Sequence, residues 1–152
     1  MGLVSGPITI TPDLNHDTSG GTFTYQATDS SSAVSIIRTA TISVTPVNDA
    51  PVCTDVTATI TEDVSGSVSV PCSDPDIGDI IAVEIVSLSL TGVSGPILGP
   101  VTGPVPLNPD LNHEGSGGSF TYQATDTSSA ISNTGTVAID VTPVNDAPSA
   151  PT

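Results

Sequence analysis

Val44-Thr45-Pro46-Val47-Asn48-Asp49-Ala50-Pro51 returns unchanged as Val141-Thr142-Pro143-Val144-Asn145-Asp146-Ala147-Pro148. Each copy closes a segment rich in Val, Ile and Thr, and the first copy opens the next segment. Proline fixes φ and has no N–H to give a sheet ladder, so Pro46 and Pro51 mark where a strand must stop. Asn48 and Asp49 set an amide and a carboxylate between those two stops. The octet reads as a short, stiff, oxygen-bearing joint between two folded β units.

Outward from the joint, the rest of the chain repeats too. Pro12-Asp13-Leu14-Asn15-His16 recurs at Pro109–His113, and Phe23–Asp29 recurs at Phe120–Asp126. The offset is 97 residues throughout, so residues 1–50 repeat residues 98–147, while residues 51–97 occur once. A fixed period of this kind is the signature of a serial architecture. Residues 1–50 are expected to be the C-terminal half of one repeat, completed by a preceding segment or a neighbouring subunit. Residues 51–148 are expected to be a complete repeat, and residues 149–152 the start of the next. A back half alone exposes an open sheet edge and an apolar face. The expectation is an excerpt of a longer tandem array, joined to adjacent repeats. The alternative is a filament whose identical subunits share strands head to tail.

Within each segment the apolar residues alternate, the period of a strand with one buried face. Ile8-Thr9-Ile10 is an expected strand, as are Phe23-Tyr25-Ala27 and Ala40-Ile42-Val44. Val56-Ala58-Ile60 alternates with threonines, the chain turns at Glu62-Asp63 and Ser65-Gly66, and Val68 and Val70 lead it back to Cys72. Cys53 and Cys72 face each other across this hairpin, and a disulfide between them is expected. Ile81, Val83 and Ile85 share one face, but Val86, Leu88 and Leu90 continue on the opposite parity. That slip of one residue predicts a bulge at Ile85-Val86. Phe120-Tyr122-Ala124 and Val137-Ile139-Val141 are the last strands. The fold class is all-β: tandem immunoglobulin-like or cadherin-like sandwiches of about seven strands.

Composition narrows the function. There are 16 acidic residues, one base (Arg38) and a net charge of −15. Binding to nucleic acid or insertion at an anionic membrane surface needs Lys and Arg, so neither is expected. A chain this acidic repels itself unless something neutralises it, and divalent cations are the obvious candidate. An apolar fraction of 36% with plentiful Val, Ile and Thr favours folding over disorder. No apolar run approaches the ~20 residues that span a bilayer. Met1-Gly2-Leu3-Val4 has neither the basic start nor the apolar core of a signal peptide, so export would be directed from outside this segment.

The succession Phe-Thr-Tyr-x-Ala-x-Asp, the Val-Thr-Pro-Val-Asn-Asp-Ala-Pro joint, Thr61-Glu62-Asp63 and Ser73-Asp74-Pro75-Asp76 resembles the cadherin-like tandem repeats of large bacterial surface and adhesin proteins. The resemblance covers nearly the whole chain. It implies an extracellular or cell-surface stalk of serial β-sandwiches with Ca²⁺ between them. Ca²⁺ takes six to eight oxygens from carboxylates, carbonyls and water. By resemblance, Asn48 and Asp49 match the linker ligands, Asp74 and Asp76 the Asp-x-Asp loop, and Asp126 a later loop. Asp29 is the position of Asp126 in the preceding unit. Glu62 matches the glutamate that reaches the other end, toward Asn145 and Asp146. The joint is poorer in acids than a cadherin linker, so one ion per joint is the most the resemblance implies. The competing reading is that these Asp and Asn residues cap turns through their own backbone.

Other chemistries find little support. His16 and His113 sit in equivalent loops without cysteine or paired histidine, which suits a loop residue better than a zinc ligand. No serine has a His or Lys partner at a recognisable spacing, so the chain is not expected to be an enzyme. Carbohydrate or matrix binding is a second reading. The absence of Trp and an aromatic content of 3% leave few faces on which a sugar could stack.

Overall fold

Thr alternating with Val, Ile and Ala favours a pleated, half-buried backbone, and the chain follows that preference throughout. The structure is a computed structural model that describes residues 6–148 except 17, 19, 77 and 80. Among these residues the chain is all β, with twelve strands and no helix. The backbone divides into two units, Met1–Asn48 and Asp49–Thr152. The stretch 149–152, expected to open a further repeat, lies outside the described residues.

The first unit holds β1 (Gly21–Tyr25) and β2 (Arg38–Ile42), an antiparallel pair. The second unit begins with β3 (Val52–Cys53), β4 (Val56–Thr61), β5 (Gly66–Val68) and β6 (Cys72–Ser73). It continues with β7 (Ala82–Leu90), β8 (Val93–Ser94), β9 (Gly99–Val101) and β10 (Val105–Pro109). It ends with β11 (Gly115–Thr125) and β12 (Gly135–Thr142). A five-stranded sheet runs β4-β12-β11-β7-β9, a three-stranded sheet runs β5-β10-β8, and β3 pairs with β6. The first long strand, β4, lies parallel to the last, β12, over Val56↔Val137 to Thr142↔Thr61.

The two sheets bury their inward parity. Phe120, Tyr122 and Ala124 of β11 and Val137, Ile139 and Val141 of β12 meet Val105 and Leu107 of β10 and Val68 of β5. Cys53, Ala58, Ile60, Ile85 and Val93 complete this core. Each large side chain moved from water to such a core contributes roughly 1.5–3 kcal/mol. The expected phase slip in β7 is present: opposite Thr121 and Tyr122 the partner jumps from Ser87 to Ile85, so Val86 is extra. Its displacement lets Ile85 point inward while Val86 stays exposed.

Two expectations need correction. The second unit has ten strands rather than about seven, because β3, β6, β8 and β9 are only two or three residues long. And Ile8-Thr9-Ile10 is not a strand. Its counterpart Val105–Leu107 is a strand paired with β5, and β8 pairs with the following residues Asn108 and Pro109. Nothing equivalent to β5 or β8 stands in the first unit among the described residues.

Candidate metal centre

The acidic loop between β6 and β7 gathers three carboxylates. Asp74, Asp76 and Asp79 each place one oxygen within 4.8 Å of the others. The local sequence explains how. Asp74 Oδ1 accepts the Asp76 N–H at 2.8 Å, an Asx turn around Pro75. The Asp79 N–H reaches back to the Asp76 carbonyl at 3.2 Å. Gly78, at φ 84°, supplies the left-handed step that lets the chain return.

Neighbouring segments hold the loop in place. The Asp49 N–H, from the start of this unit, donates to Asp76 Oδ2 at 2.7 Å. Thr127 donates to Asp79 Oδ1 twice, from its N–H at 3.3 Å and from its hydroxyl. The Cys53–Cys72 disulfide closes the β3–β6 pair directly before the loop. Asn133 fixes the other side of Cys53, accepting its N–H at 2.9 Å and donating to its carbonyl at 2.8 Å.

Three negative charges this close repel one another by about 1–4 kcal/mol per pair, depending on solvent access. Among the described residues, Asp74 Oδ2 is buried without a hydrogen-bond partner. A buried carboxylate oxygen left unsatisfied is costly unless a cation or donor meets it. Oxygens bound to one Ca²⁺ at ~2.4 Å lie no more than ~4.8 Å apart, and the three carboxylates fall inside that limit. The donors are all carboxylates, with neither Cys nor His, which disfavours zinc. The residues present fit Ca²⁺; the three aspartates would hold it, and backbone carbonyls and water would complete its shell.

The other expected ligands lie in different settings. Asp126 is buried beside the loop, next to Thr127, but its Oδ1 accepts the Ala130 N–H at 2.7 Å and so caps its own turn. Asp29 does the same in the first unit, accepting the Ser31 and Ala33 N–H groups at 2.8 Å each. Asn48 is the last residue of the first unit and is exposed. Glu62 is buried beyond the far end of β4, where it accepts the Val144 N–H one residue before Asn145. Asn145 and Asp146 are exposed there. Sequence reasoning overlooked Asp79, although a glycine just ahead of an aspartate signals a chain reversal that can bring the carboxylate back.

The sequence profile described as bacterial Ig domain matches residues 48–140. No curated protein matches the chain. Among solved structures it is similar to the extracellular cadherin domains 1–4 of protocadherin gamma B7, at 16% identity and a TM-score of 0.49. That likeness covers 86% of this chain and 41% of the other.

Proposed function

The chain belongs to the bacterial Ig domain family, and on that premise we propose that it is a structural repeat of an extracellular adhesin or fibre stalk. Domains of this family are typically surface-exposed, non-enzymatic modules. The observation that carries the reading is the 97-residue repeat, whose two copies adopt one strand register: Gly21↔Ile42 and Gly118↔Ile139 are the same pair, 97 apart. A chain that repeats its fold in series gains length rather than a second chemistry. The Cys53–Cys72 bond supports an oxidising, extracellular setting. No helix among the described residues is long and apolar enough to cross a membrane.

Ca²⁺ is the cofactor of this reading, held by Asp74, Asp76 and Asp79. Because Asp76 also holds the Asp49 N–H, an ion on the loop orders the start of the second unit. Restricting that hinge would turn a flexible succession into a stiffer one, with adjacent repeats or identical subunits as the partners. Small-angle scattering of the full chain, with Ca²⁺ and then with chelator, tests this. The expected result is a longer maximum dimension with the ion. An unchanged dimension removes the calcium role and leaves the stalk reading standing.

A further inference from the structure

The first unit repeats the backbone of the second in detail. β1 and β2 keep the register of the middle of β11 and β12 down to Tyr25↔Arg38, the counterpart of Tyr122↔Gly135. The bridge Thr28↔Val34 matches Thr125↔Ile131. Left-handed residues coincide as well: Asn15 with Asn112, Ser32 with Ser129, and Gly21 with Gly118. Gly20 lies against Ile42 as Gly117 lies against Ile139; a Cβ would come within 2.5 and 2.6 Å of the two isoleucines.

The surroundings differ. In the second unit this hairpin is bordered by β7 along β11 and by β4 along β12. Among the described residues of the first unit, β1 and β2 form a sheet of two. Tyr25 is 51% exposed where Tyr122 is 0% exposed, and Ile10 is 48% exposed where Leu107 is 0% exposed. Ile8 and Ile36 are exposed as well. A hairpin with two open edges and a wet apolar face has the form of an acceptor.

We propose that the first unit is an acceptor half-domain, and that its occupant is an Ig front half with the chemistry of residues 51–97. The repeat itself names the occupant, since residues 51–97 cover this same hairpin in the second unit. A strand like β7 adds antiparallel to β1. A strand like β4 adds parallel to β2. A strand like β5 pairs with Ile8–Ile10 and turns it into a strand. Main-chain bonds along both edges supply affinity, and the alternate apolar side chains fix the register. One position departs from the second unit. Arg38 replaces Gly135, where a Cβ lies 2.7 Å from the Tyr122 ring, so Tyr25 must tilt to be buried.

The test adds an oxidised polypeptide of residues 51–97 to the full chain, with chelator present so that calcium plays no part. Native mass spectrometry reads stoichiometry, and amide exchange reads residues 8–10, 21–25 and 38–42. The expected result is a 1:1 complex in which exchange at all three segments slows at least tenfold. The Arg38→Gly chain should bind the probe more tightly, and a probe carrying Ser89→Pro should not bind. Absence of a complex overturns the proposal. So does protection of the same segments by dimerisation of the full chain alone, which would make a second copy the occupant. As a control independent of probe solubility, residues 51–97 are inserted in frame ahead of Met1. Protection of residues 8–10 and burial of Tyr25 in that chain support the proposal, and their absence overturns it.

Discussion

The Tyr122 hydroxyl donates to the Thr54 carbonyl from a ring buried in the core, and Gly135 lies against the face of that ring. Burial first, and then the negative charge of Asp55, raise the tyrosine pKa above its usual 10.0. The folded state therefore holds this proton more tightly than the unfolded state does. Stability contributed by the group is fully present below about pH 10 and is lost as pH rises from there through the folded value. Tyr122→Phe should remove that alkaline decline and cost ~1 kcal/mol at neutral pH, read by urea unfolding across the pH range. At the acidic loop, Asp79→Asn keeps an oxygen for Thr127 and removes one charge. Calorimetry should find Ca²⁺ binding weakened about tenfold, roughly 1.4 kcal/mol, with stability in chelator raised because two repulsive pairs are relieved. Asp74 and Asp76 were singled out as candidates because Ser73-Asp74-Pro75-Asp76 resembles an Asp-x-Asp loop. Asp79 was not, because its placement depends on the left-handed turn at Gly78.

Strands show most clearly what local sequence does and does not encode. Parity alone marked the buried faces of β4, β11 and β12 and located the bulge at Val86, because a period of two has one solution when one face is dry. Cys53 and Cys72 do pair, through β3 and β6, but not across the expected hairpin, because β4 and β5 between them belong to different sheets. The short strands β3, β6, β8 and β9 left no periodic trace, since two or three residues cannot show a period. Ile8-Thr9-Ile10 has strand composition but no flanking strand among the described residues, whereas Val105–Leu107, with a proline at its centre, is a strand because β5 pairs with it. The same contrast sets an energetic expectation for identical residues. Phe120→Ala should destabilise the second unit by about 3–5 kcal/mol. Phe23→Ala, in the partly buried counterpart, should cost less, about 1–2 kcal/mol. Chemical denaturation of both variants checks the pair.

Across the whole molecule, acidity and repetition set the behaviour. A net charge of −15 with one base opposes close approach of its carboxylates. The second unit secures its own beginning covalently, since Cys53 and Cys72 are separated by 19 residues. Replacing both by serine should lower its unfolding free energy by ~3 kcal/mol, and Ca²⁺ affinity should fall with it, because Cys72 leads into the acidic loop. Thermal melts with and without reductant measure the first effect and calorimetry the second. The parallel pairing of β4 with β12 has a mechanical consequence. Tension applied at Asp49 and Pro148 pulls β4 from its Val56 end and β12 from its Thr142 end, in opposite directions along one shared ladder. The six residue pairs of that ladder are loaded in shear and must rupture together, instead of peeling open one after another.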